Sequence, residues 1–160
     1  MKIYNENIHD DADIDVDKFD STSVSRARAY CSAQFNVANA TWTKVEFDTE
    51  SYDNLGEYTG ASTYRFTAIT AGYYLVTTSL EWGTAVANKR YISAIYKNGA
   101  NVAFNITHSS LASNVSSSVT DIVYLAATDY VEGWAYQNSG ESDGISAGTH
   151  ASFITIHKLS

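Results

Sequence analysis

The run Tyr64–Trp82, YRFTAITAGYYLVTTSLEW, constrains this chain more than any other stretch. After a strand and a tight connection at Ala71-Gly72, its even positions from Tyr74 read Tyr, Val, Thr, Leu, Trp, and its odd positions from Tyr73 read Tyr, Leu, Thr, Ser, Glu. Side chains of a strand alternate between its faces, so the pattern predicts one long strand with an apolar face and a mixed face. Tyr74, Val76, Leu80 and Trp82 need a second sheet to cover them, which selects a two-layer sandwich. The odd face, with Tyr73 and Leu75 among polar residues, is too apolar for water alone. It calls for a partner chain.

The rest of the chain continues in the same manner. RARAYCSAQF sets Ala27, Ala29, Cys31, Ala33 and Phe35 on one face, and TWTKVEFD turns Val45 and Phe47 inward with Lys44, Glu46 and Asp48 outward. Further strands are predicted over 90–96, 102–108, 119–125, 130–137 and 152–158. Asn98-Gly99 between the first two of these is a strong hairpin signal. SSLASNVSSS and NSGESDGISAG read as loops, and no segment reads as a helix. Proline is absent, so Gly, Asn, Asp and Ser must make the turns. The expectation is an all-β sandwich of about ten short antiparallel strands.

Composition narrows the function. A net charge of -8 disfavours nucleic acid and anionic membranes, both of which need a basic footprint. No apolar run approaches the ~20 residues of a membrane-spanning helix, and the opening residues MKIYNENIHDDADID lack the apolar core of a signal peptide. Residues 1–25 form an acidic lead-in, distinct from a domain over 26–160. In that lead-in Asp11, Asp13, Asp15 and Asp17 alternate with small or apolar residues. An EF-hand loop starting at Asp11 would need Gly at its sixth position and Glu at its twelfth, where Val16 and Thr22 stand. A solvated stalk segment is the expectation.

No catalytic constellation stands out. His9, His108, His150 and His157 lack metal-ligand spacing, and no G-x-S-x-G elbow is present. Cys31, the one cysteine, reads as a buried small hydrophobe. Glu141 and Asp143 share a loop and could serve a glycosidase, against the plainer reading of a solvated polar loop. The sequons at Asn39, Asn105 and Asn114 matter only in a secretory pathway. Ligand binding is the better expectation. Trp42, Trp82, Trp134 and Tyr136 are of the type that stacks on sugar rings. Trp82 fits either a loop rim or the core by phase, and Trp134 either an outward face or a subunit axis.

Four elements together resemble the globular head of complement C1q and the tumour necrosis factor superfamily. They are Phe66 with Gly72-Tyr73-Tyr74, the Lys97-Asn98-Gly99 hairpin, Leu125–Val131, and Ser152-Phe153 with Leu159. Ile69 stands where the family has proline, and Thr128 where it has glycine. The resemblance implies a ten-stranded jelly roll working as a compact homotrimer. It sets Tyr73, Leu75, Thr77, Ile122, Phe153, Thr155 and His157 at the trimer interface, against the plainer alternative that they pack under a loop of the same chain. It also implies no catalytic residue and no cofactor beyond the calcium that some such heads hold, for which Glu141, Asp143, Asp48 and Asp53 are the candidates. The lead-in is similar to segments preceding C-terminal domains of bacteriophage tail-fibre and receptor-binding proteins. The function implied is a non-enzymatic head of a virion or extracellular fibre, recognising a host surface receptor or glycan. Its rival is a purely structural trimerisation cap.

Overall fold

The alternation around Gly72–Trp82 becomes a strand with three pairing partners in a seven-stranded sheet of the computed structural model, which describes residues 24–159. All but the last two residues of the acidic lead-in lie outside that range. The first sheet runs β2 (Phe35–Val37), β12 (Asp143–Ile145), β7 (Gly72–Trp82), β13 (Phe153–Lys158), β1 (Arg26–Tyr30) and β4 (Thr49–Asp53), with β10 (Val115–Leu125) along the other edge of β7. The second runs β5 (Tyr58–Thr59), β6 (Arg65–Thr67), β11 (Tyr130–Gln137), β8 (Arg90–Lys97) and β9 (Ala100–His108), with β3 (Thr43–Lys44) also on β11. All strand pairs are antiparallel. No helix occurs among the described residues.

Parity on β7 is as the sequence implies: Tyr74, Val76, Thr78, Leu80 and Trp82 are buried, and no odd-numbered residue of the strand is. The core between the sheets joins these to Phe66, Tyr91, Ile95, Val131 and Phe47. Aromatic pairs cross it, Phe66 against Tyr74 at 5.6 Å and Trp82 against Tyr91 at 5.1 Å between centroids. At Gly133 of β11 only a glycine fits, because a Cβ there would stand 2.6 Å from Phe47 Cε2 and 3.1 Å from Thr78 Cγ2 of β7. The β8–β9 hairpin turns at Asn98 and Gly99 with φ of 49° and 79°, the left-handed pair that a two-residue hairpin loop requires.

Several local expectations change. The segments before and after Ala71-Gly72 do not pair, since β6 and β7 belong to opposite sheets; the Tyr74 hydroxyl donates to the Thr70 carbonyl at 2.7 Å across the crossover. Ala33 is exposed because β1 ends at Tyr30 and the alternation ends with it. Part of the serine-rich link is strand: β10 starts at Val115 and pairs with β7 as far as Trp82. Its Ser117 is buried and donates to the Asn105 carbonyl at 3.0 Å. The second presumed loop contains β12, which pairs with β2. Lys44 is not simply solvated, but ion-pairs with buried Glu132 at 3.2 Å.

Candidate functional site

The outer face of the first sheet gathers all the residues expected at a trimer interface. Register fixes their neighbours: Leu75 lies between Ile122 of β10 and His157 of β13, Thr77 between Thr120 and Thr155, and Phe153 beside Ser79. Tyr73 is 52% and Ile122 55% exposed, and Leu75 is also exposed. Thr77 and Thr120 share a hydrogen bond of 2.8 Å. The Arg28 guanidinium stands 4.4 Å over the Phe153 ring. Two residues that belong to this face were not singled out from the sequence. Tyr124 packs edge-on against Tyr73 at 5.3 Å, and Tyr52 of β4 faces Thr155, with 3.4 Å between their hydroxyls. Two-residue phase from Ile122 could have found Tyr124, whereas Tyr52 needed the β1–β4 pairing.

The sugar-stacking candidates separate. Trp82 is 0% exposed and packs on Tyr91 in the core, so it offers no surface to a ligand. Its phase on β7 with Tyr74 and Leu80 decides the matter. Trp134 and Tyr136 project from the outer face of the second sheet, on the opposite side of the sandwich from the expected trimer face. There Trp134 stacks on Tyr96 at 4.4 Å with 19° between the planes, and Trp42 lies 5.3 Å from Tyr136. Beside this cluster a groove of about 310 Å³ is lined by Trp42, Arg90, Ile92, Phe104, Ile106 and Tyr136. Phe104 is 56% exposed. Two-residue alternation along β9 carries Phe104 and Ile106, but only the β8–β9 pairing puts them beside Ile92 and Ala94.

The groups considered for chemistry are engaged elsewhere. Burial, with Asp48 and Glu46 nearby, pushes the Cys31 thiol up to about 12, so it stays protonated and is no nucleophile. Asp143 is buried, accepting from the Tyr91 hydroxyl at 3.0 Å, Thr84 Oγ1 at 3.2 Å and the Gly144 amide at 2.8 Å. Asp48 accepts from the Ser32 amide and hydroxyl, and Asp53 from the amides of Gly56 and Tyr58. Glu141 is exposed. Among the described residues no three His, Cys, Asp or Glu side chains come together as a metal site would require. No helix long and apolar enough to cross a membrane is found there.

No protein-family model and no curated protein matches the chain. Solved structures do. Eiger TNF from S. frugiperda superposes with a TM-score of 0.67 at 13% identity, covering 86% of this chain and 93% of that one. Murine APRIL gives 0.67 at 13% identity, covering 85% and 99%. The globular domain of zebrafish complement 1qA gives 0.60 at 12% identity, covering 86% and 98%. With two antiparallel sheets in the order described, the chain has the jelly-roll fold of the TNF and C1q globular domains.

Proposed function

We propose that this chain is a non-enzymatic, homotrimeric binding head. The outer face of the first sheet covers the three-fold axis, with Tyr73, Leu75, Thr77 and Ile122 on β7 and β10 and Phe153, Thr155 and His157 on β13. The observation that carries this reading is the exposure in one chain of a contiguous apolar surface, Tyr73, Leu75, Ile122 and Tyr124, on the paired strands β7 and β10. Exposed apolar patches of this kind mark association surfaces. Covering one such side chain fully is worth up to roughly 1.5–3 kcal/mol, and a ring repeats the gain at each contact. The fold, shared with TNF and C1q domains, supports the same assembly.

The head recognises a receptor or glycan on a host surface, as the tip of a phage-type fibre in the virion or outside the cell. Residues 1–25 join it to the remainder of that fibre or to another virion protein. Light scattering of the intact chain and of Leu75→Asp tests the reading. A trimeric mass that the substitution reduces to a monomer is expected; a wild-type monomer would overturn it. A trimer that binds no host envelope or glycan in a screen would instead be a structural cap.

A further inference from the structure

The groove on the second sheet differs in character from the face just described. Its floor is Ile92, which is 4% exposed, and its walls are the rings of Trp42, Tyr136 and Phe104 with the Ile106 side chain. Rings at the edge of a shallow groove offer flat faces to the C–H side of a sugar. The Trp42 indole N–H and the Tyr136 hydroxyl have no hydrogen-bond partner among the described residues, and so are open to sugar hydroxyls. A volume of about 310 Å³ is at the small end for a ligand site, suited to one or two rings.

Charge refines the ligand. On this sheet face Lys44 and Glu132 neutralise each other at 3.2 Å, and Arg65 lies over the Tyr130 ring at 4.3 Å. Arg90 is exposed at the groove, its guanidinium 5.9 Å over the Tyr136 ring, and has no carboxylate partner among the described residues; its cross-strand neighbour is His108. A guanidinium without a carboxylate partner, beside aromatic walls in a chain of net charge -8, is a local attraction for an anion. Its planar fork matches a carboxylate.

From these observations we infer that the groove of Trp42, Arg90, Phe104 and Tyr136 binds an acidic saccharide, the sugar ring stacking on the aromatic walls and the ring carboxylate pairing with Arg90. This names the ligand class for the binding head proposed above. The groove lies within one chain, however, and its intrinsic affinity does not depend on the trimer.

The test titrates glucuronate oligosaccharides, with neutral gluco-oligosaccharides and polyglutamate as controls, into the full chain. Amide chemical shifts and tryptophan fluorescence report binding. Glucuronate oligomers are expected to shift amides of β8, β9 and β11 around the groove. Arg90→Gln should weaken them about tenfold, to the level of the neutral sugars, as for loss of a charged hydrogen bond. Trp42→Ala should abolish binding of both while its amide spectrum keeps the wild-type dispersion, and Arg90→Gln tests the groove independently should that variant fail to fold. Equal binding of neutral and acidic sugars, indifference to Arg90→Gln, tighter binding of polyglutamate, or no shifts at all would each overturn the inference. The same titration on Leu75→Asp separates the two proposals. A monomer that keeps the wild-type per-site affinity supports the groove whatever becomes of the trimer.

Discussion

Thr128 has a φ of 74°, in the left-handed region where a β-branched residue is a true outlier. The TNF- and C1q-like sequence pattern has glycine at this position, and the geometry explains the preference. The Thr128 amide donates to the Ala68 carbonyl at 2.8 Å, fixing the turn between β10 and β11, while the side chain is exposed. The left-handed conformation costs an L-residue about 1–2 kcal/mol, and the greater freedom of an unfolded glycine takes back part of that. Thr128→Gly is therefore expected to stabilise the fold by about 1 kcal/mol, read as a rise of roughly 2–4 °C in Tm. An unchanged or lower Tm would mean that the threonine makes an unrecognised compensation. Here the sequence showed a departure from a pattern, and the backbone shows its cost.

At the scale of elements, the same corner is pinned to the β8–β9 hairpin. Asp129 accepts from the Asn98 amide at 2.8 Å, from Lys97 at 2.9 Å and from the Ala126 backbone at 2.9 Å. Asn98, Lys97 and the Ala126 amide hold its carboxyl down to about 2, below the usual carboxylate range. A carboxyl depressed in the folded state contributes stability that is complete above about pH 4 and lost as the pH falls toward 2. Asp129→Asn should thus flatten the acid limb of a urea-midpoint curve, with the wild type losing more stability than the variant between about pH 4 and pH 2. Parallel acid limbs would show that other carboxylates govern it. The hairpin was legible because Asn98-Gly99 demands left-handed backbone, and β7 because its parity is unbroken over its length. The start of β10 and all of β12 were not. Serine and glycine signal turns locally, yet Ser117 is buried against β9 and Gly144 pairs with Asn36 of β2. Only tertiary pairing reveals either. Trp82 failed as a ligand residue for the converse reason, a loop-edge position that the register carries into the core.

On the scale of the whole molecule the two outer faces oppose each other, separated by the packed sheets and their core. If the face of Tyr73, Leu75 and Ile122 meets the three-fold axis, the face of Trp42, Arg90 and Tyr136 must turn away from it, so a trimer presents three grooves outward. On the inference drawn above, each shallow groove of about 310 Å³ would hold one short acidic saccharide. A surface dense in such saccharides engages several grooves at once, and linked sites gain roughly 10²–10⁴ in apparent affinity without any new contact. The wild-type trimer is therefore expected to leave a densely coated acidic-polysaccharide surface far more slowly than Leu75→Asp, with the difference shrinking as the coating is diluted. Dissociation rates from dense and sparse coatings in a surface-binding assay read this directly. Equal rates for trimer and monomer on the dense coating would show that the assembly does not supply avidity. The apolar face would then serve only to fasten the head, leaving recognition to single grooves.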